Sequence, residues 1–477
     1  MMRLIASFLF LISSLSLSQT TSDVQADRSI YTYDLAKSWQ ASAELEGAPE
    51  YEIDLELSDD LRTITGSQTT LVTNTSRRIL NDVLFRLYPN ALGSEMSVSR
   101  VEVEGREIQG ELEQENTSLR ILLPRPLFPG EAVEVGLEFS LKVSNSNVSY
   151  GRLSMFEDAA TSALNLAHGY PTLSVLDDEG WRNELPDPEG DPLVAEAGFY
   201  EVSVTAPLDT QLATSGILSK QLIQEGKQLS TFSAGPARDF YLSALRGYVK
   251  QSLVAENVLI NSYTPAALSE AAQSSLEDAA QALNEFATFG AYPYRELDIV
   301  ALPVSAGGIE YPGIVVLANN IYRDEGTLES VLAHEIGHQW AFNLVGSDQI
   351  LEPWLDESLT QYLTSVYHDK YGGERFNSGY LEYWENVWDN AEDEDKAIGL
   401  DVAAYTPREY SAIVYGRGLF FFRELEEELG RDVLQAGLRT YFDTYAWQFA
   451  TPNDLKTILE TECACDLDTT FARWGAS

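Results

Sequence analysis

Two histidines and two glutamates in this chain stand at a spacing that can hold and use a metal ion. They are His334-Glu335-Ile336-Gly337-His338 and, after eighteen intervening residues, Glu357. Side chains four apart on a helix are rotated by only about 40°, so His334 and His338 point the same way and can ligate one ion. Glu357, from a second helix, would complete three protein ligands. The fourth position stays open for water, which distinguishes a catalytic zinc site from a closed structural one. Glu335 lies beside the ion without binding it. It is the expected base, taking a proton from water as that water attacks a carbonyl and passing it to the leaving amine. The implied cofactor is Zn2+, one ion per chain. His168 and His368, the other two histidines, carry no motif and read as structural or surface residues.

Two helices must position these groups. The first is predicted from Thr327 to about Leu344, before Gly346. The second is predicted to start at Pro353, a residue favoured in a first helical turn, and to end at Tyr371-Gly372-Gly373. Upstream, Thr264-Pro265 reads as the start of a helix whose apolar face carries Leu276, Ala279, Ala280, Leu283, Phe286 and Ala287. Leu297 to Pro303 and Ile314 to Ala318 read as short strands. Asp356 suits either orientation of a ligand, a capping role or an exposed one.

From Tyr51 to Tyr248 the pattern is different. Tyr51, Ile53, Leu55 and Leu57 alternate, Asp82 to Tyr88 does likewise, and Glu102 to Ile108 reads as a hairpin around Gly105. Tyr200 to Val204 and Gln228 to Ser233 add strands, and 185–192 is a polar loop. The fold class is therefore α+β with two domains. An antiparallel β-sandwich or saddle at 27–252 precedes a mainly helical domain at 253–477.

Residues 1–26 read as an export signal: Arg3 precedes an apolar run from Leu4 to Leu17, with cleavage after Ala26 or near Ser18, an uncleaved anchor being the alternative. The expected location is secreted, periplasmic or cell-surface. No stretch of the mature chain is long and apolar enough to span a bilayer. Against 74 Asp and Glu stand 31 Lys and Arg, a net charge of −43 that repels nucleic acid and anionic lipid. The two cysteines, Cys463 and Cys465, can pair, stay free or bridge to another chain.

The stretch from Leu332 to Trp340, with Asn343-Leu344-Val345 and Trp354-Leu355-Asp356-Glu357, resembles the membrane alanyl aminopeptidase family of zinc metallopeptidases (gluzincins), to which leukotriene hydrolase is related. Gly307-Gly308-Ile309-Glu310-Tyr311 is similar to that family's Gly-x-Met-Glu-Asn element, and Val414-Tyr415-Gly416-Arg417-Gly418 to its Val-Tyr-Glu-Lys-Gly stretch. The resemblance implies a thermolysin-like catalytic domain and an aminopeptidase acting on peptides. It implies that Glu310 grips the substrate's α-amine; read without it, Glu310 is an acid on a loop or edge strand. Gly307 and Gly308 would let a peptide backbone approach. It implies that Tyr415 donates to the oxyanion; otherwise Tyr415 is a core aromatic, with Tyr410 as its rival. Ile309 and Tyr311 depart from the family's Met and Asn. No glutamine in Leu164 to Gly169 matches the one that often assists the amine-binding glutamate. The large helical C-terminal domain of longer relatives has no counterpart, which implies a more open cleft. A zinc endopeptidase or other zinc hydrolase, and a zinc-stabilised binding module without turnover, are the competing readings.

Overall fold

The computed structural model describes residues 35–476 apart from 38, 41–43, 146–147, 186–189 and 192, and of 373–378 only the backbone. The expected export signal, and most of the 185–192 loop, lie outside the described residues.

The alternation at Tyr51, Ile53, Leu55 and Leu57 becomes the strand Glu50–Leu57, with these four side chains buried and their neighbours facing out. It sits inside an eight-stranded sheet ordered Ile217–Gln224, Lys227–Ala237, Gly198–Pro207, Glu50–Leu57, Thr63–Thr73, Ala132–Lys142, Glu95–Val103, Arg106–Ile108. One pairing departs from the antiparallel expectation: Glu50–Leu57 runs parallel to Gly198–Pro207. The chain between them is long enough to return and enter the sheet in the same direction. A second sheet, built around Leu80–Arg86 and Ser118–Leu127, packs Val83, Phe85, Leu119 and Ile121 into the same core. This is the sandwich expected for the N-terminal part.

A third sheet, ordered Gln211–Thr214, Leu242–Arg246, Ser162–Leu166, Leu153–Glu157, lies between the two halves of the molecule. Its period of two serves both. Leu164, Leu166, Leu242 and Ala244 join the sandwich core, while Ala163, Ala213 and Leu245 join the second, larger core.

The second half opens with a five-stranded sheet: Tyr248–Ala255, Val258–Pro265, Glu296–Leu302, Ile314–Ala318, Gly308–Tyr311. The expected division between 252 and 253 falls inside its first strand; the change of sheet comes at Gly247. Helix Ser269–Phe286 crosses between two parallel strands. Thr264-Pro265 does not begin that helix. Both residues pair with Tyr248 and Val249 at the end of a strand, and the helix starts four residues after Pro265. Gly308–Tyr311 is the edge strand, antiparallel to Ile314–Ala318, and no strand among the described residues pairs with its outer edge. From Glu325 onward the chain is helical, as expected, and no described helix is long and apolar enough to cross a membrane. Cys463 and Cys465 form a disulfide with each other.

Candidate active site

The helix that carries the two histidines spans Glu325–Gly337. Asp324 caps it, its carboxylate accepting from Thr327 N at 2.8 Å. The sequence predicts an end near Leu344, but the helix stops at Gly337. The carbonyl of His338 accepts from the backbone N–H of Asn343 at 3.0 Å and from Asn343 Nδ2 at 3.1 Å, and Phe342 takes a positive φ of 82°. The chain therefore turns away at His338, the last residue of the motif, leaving both imidazoles at the buried end.

The helix that carries Glu357 spans Trp354–Tyr371, with Pro353 just before it, and from Trp354 to His368 it is buried all round. The two helices meet closely where Gly337 faces Thr360: a Cβ on Gly337 would lie 3.0 Å from Thr360 Cγ2. That approach brings Glu357 to the histidines. His334 Nε2 lies 3.2 Å from Glu357 Oε2, His338 Nε2 lies 3.4 Å from the same oxygen, and the two Nε2 atoms are 3.0 Å apart. A tetrahedral site with bonds of about 2.0–2.1 Å has ligands about 3.3–3.4 Å apart. The triangle is close to that size, and its two nitrogens and one oxygen suit a divalent ion such as zinc.

Glu310, His338 and Asp356 also gather. There, however, His338 Nδ1–H donates to Asp356 Oδ1 at 2.6 Å, so that nitrogen is committed. The same bond fixes the tautomer that leaves Nε2 free to face Glu357. Asp356 is thus the carboxylate that orients a ligand rather than a helix cap, and it is 1% exposed.

The titration of these groups reflects crowding of carboxylates. Burial pushes Glu335 well above its ordinary range; His338 opposes this, while Glu310 and Glu357 add to it. Burial likewise raises Glu310 to about 7. Burial would raise Glu357 too, but its hydrogen bonds to His334 and His338 outweigh that and hold it well below the usual range. Burial lowers His334.

Each predicted site residue lies at or beside this triangle. Glu335 is 5% exposed and packs on Gly308, where a Cβ would come 2.4 Å from both its Cγ and Oε1. Gly308 therefore makes room for Glu335, while Gly307 faces Val331 at an ordinary distance of 3.6 Å. Glu310 is 8% exposed on the edge strand, in a pocket shared with Arg152, Asp191 and Gln349. Tyr415 donates its hydroxyl to Glu357 Oε1, and its ring stacks between His334 and Trp384. It sits in Tyr410–Arg417, which winds as a π-helix. Tyr410, the rival, places its hydroxyl near Gly190 instead. His168 and His368 are buried, not on the surface: His168 pairs with Asp239 at 2.8 Å and His368 with Ser330 at 3.0 Å.

Sequence reasoning missed Gln349, Asp191 and Arg152. Gln349 donates to Glu310 Oε1 at 3.3 Å and to Asp356 Oδ2 at 2.7 Å. Arg152 is ion-paired with Asp191 and donates to the carbonyl of Gly190 at 2.9 Å. None belongs to a periodic or spaced motif, so no local signal marked them.

Comparison with known proteins agrees with this geometry. Residues 274–474 match the peptidase family M1 domain. Aminopeptidase M1 of Arabidopsis thaliana is 23% identical over 295 residues, covering 58% of this chain and 33% of that protein. Leucine aminopeptidase 2 of Candida albicans is 28% identical over 180 residues, 33% of this chain and 29% of that protein. The chain thus spans about a third of the length of these relatives. The crystal structure of M1 zinc metallopeptidase from Deinococcus radiodurans superimposes with a TM-score of 0.71 at 18% identity, covering 90% of this chain and 94% of that one, and so shares the two-domain fold. A mutant of the same enzyme has been crystallised with a Tyr-Ser-Ala substrate. Residues 274–474 thus match the peptidase family M1 domain, the ligand triangle lies within that match, and both halves share the fold of the Deinococcus radiodurans structure.

Proposed function

We propose that this chain is a zinc-dependent aminopeptidase that removes N-terminal residues from peptides. The observation that carries the reading is the position of Glu310, a buried carboxylate on the last strand of its sheet, beside His338 of the His334–His338–Glu357 triangle. One Zn2+ per chain is the expected ion, and when bound it acidifies a water molecule and polarises the scissile carbonyl.

The protein's own groups do the rest. An extended peptide adds to the free edge of Gly308–Tyr311 through main-chain hydrogen bonds. Glu310 pairs with its α-ammonium and fixes how far the first peptide bond lies from the triangle. Glu335 accepts a proton from the attacking water and delivers it to the leaving nitrogen. Tyr415, already donating at Glu357, offers its O–H to the oxygen on which charge develops. The apolar segment before Asp27 supports export to an extracellular, periplasmic or cell-surface location.

Incubating the zinc-loaded protein with peptides whose amino termini are free or acetylated tests the reading by mass analysis of products. Sequential loss of single residues from free peptides alone is expected. Glu310→Ala should raise KM for free peptides by about tenfold or more, the loss of one charged contact. Internal cleavage of acetylated and free peptides alike would instead identify an endopeptidase.

A further inference from the structure

Tyr380, Trp384 and Trp388 follow one another at intervals of four on the helix Gly373–Asp389, so their rings line one face of it. Each ring meets a different partner. Tyr380 lies 4.8 Å from the imidazole of His368, and Trp388 lies 5.6 Å from Phe420 and 5.7 Å from Trp474, centroid to centroid. Trp384 instead stacks on Tyr415, with centroids 5.9 Å apart and planes 18° from parallel. Tyr415 stacks in turn on His334, at 5.7 Å and 29°. Such separations and angles suit offset stacking. Gly416 permits the approach, because a Cβ there would lie 3.2 Å from the carbonyl oxygen of Trp384. The backbone of the same tyrosine is held from a second helix. Ser358 Oγ donates to the carbonyl of Val414, the residue before Tyr415, at 2.6 Å, and Ser358 is fully buried. Gly418 makes room for it, since a Cβ there would overlap Ser358 Oγ. Ser358 directly follows Glu357, whose Oε1 accepts the Tyr415 hydroxyl. Two consecutive residues of one helix therefore tie both the backbone and the phenol of Tyr415 to the ion triangle.

We propose that Trp384 and Ser358 are positioning residues for Tyr415. Ser358 fixes where the π-helix carries the tyrosine, and the Trp384 indole, together with the His334 imidazole, keeps the phenol from tilting out of its ring plane. Within that plane the O–H turns from Glu357 Oε1 to the oxygen on which charge develops. A donor held in this way needs no reorganisation at the moment of reaction. Its contribution is made in the transition state and not in substrate binding, so the brace acts on kcat and leaves KM. The inference rests on the aminopeptidase reading and deepens it, by naming what sets the geometry of its oxyanion donor.

The test follows release of the first residue from a tripeptide with a free amino terminus by full-length, zinc-loaded protein. Zinc content is measured on every sample. Trp384→Ala and Ser358→Ala are each made in the native protein and in Tyr415→Phe, which keeps the ring and removes the hydroxyl. Tyr415→Phe alone should lower kcat about 10²-fold, as loss of one oxyanion donor does. In the native protein each alanine variant should lower kcat about tenfold and change KM less than about twofold, and Trp384→Phe should return kcat to within about threefold of native. In the Tyr415→Phe background the same alanine variants should lower kcat less than about twofold, because no hydroxyl is left to position. Equal losses in the two backgrounds would mark a general structural role and overturn the proposal, as would a Tyr415→Phe protein of native rate. Should Trp384→Ala fold poorly, Ser358→Ala, which removes a single oxygen, decides by itself. Native protein that cuts only internal bonds, or none, overturns the aminopeptidase reading and the proposal with it. Native protein that releases single residues while both backgrounds lose equally overturns the brace alone.

Discussion

A methyl group on Gly308 would overlap the carboxylate of Glu335, and the backbone of an edge strand cannot move aside without breaking its pairing with Ile314–Ala318. Gly308→Ala should therefore displace the base while sparing the ion. We expect kcat to fall by about 10²-fold, as displacements near 1 Å at a reacting centre do, with zinc content unchanged by elemental analysis. The charge balance around the site leads to a second expectation. Asp191, Glu310, Glu335, Asp356 and Glu357 are drawn together with Arg152 as the nearby permanent cation. A dication between His334, His338 and Glu357 relieves that repulsion, and whatever binds only the folded state stabilises it. Chelation should lower Tm by several degrees in scanning calorimetry, and added zinc should restore it. An unchanged Tm would mean that the triangle holds no ion in solution.

At the scale of elements, the helix Ser269–Phe286 packs against the histidine helix and sets acids of both close together. Asp278 is half-buried there. Burial raises its pKa to about 7, with Glu329 and Glu325 adding to the shift. A carboxyl whose folded pKa is raised is harmless while protonated in both states, below about pH 4. It weakens the fold progressively as pH rises toward and past 7. Asp278→Asn should then raise Tm at pH 8, with the gain shrinking to nothing near pH 4; a pH-independent gain would contradict the assignment. These helices were legible in the sequence because their periods are local. His334 and His338 need only one helical turn, and Glu357 needs only a second helix nearby. The end of the first helix at Gly337 was not legible, because it is set by Asn343 folding back onto the carbonyl of His338. The strand at Thr264-Pro265 read as a helix start because proline chemistry suits both, and pairing with Tyr248 and Val249 decided it.

Across the whole molecule, the sandwich and the helical half share the sheet that contains Ser162–Leu166, whose two faces serve two cores. Alternation along the chain marked neither the strands of this sheet nor that division, since both of its faces carry apolar side chains. Arg152 and Asp191 reach the pocket beside Glu310 for the same reason: they lie in the N-terminal half, and no sequence spacing encodes their distance from the edge strand. The net charge of −43 acts at this scale as well. Like charges spread over one surface oppose compaction, and salt screens them over about 10 Å at 0.1 M. Raising NaCl from low to moderate concentration should raise Tm, and a falling Tm would show that specific ion pairs outweigh the general repulsion. The central claim, however, is that three side chains hold one ion and Glu335 alone moves the proton. Zinc stoichiometry and peptide hydrolysis, measured side by side on the native protein and on Glu335→Gln, test it most directly. We predict one zinc per chain in both, with hydrolysis reduced by about 10²–10⁴-fold in the variant. Native-like hydrolysis by Glu335→Gln, or active native protein without zinc, would contradict it.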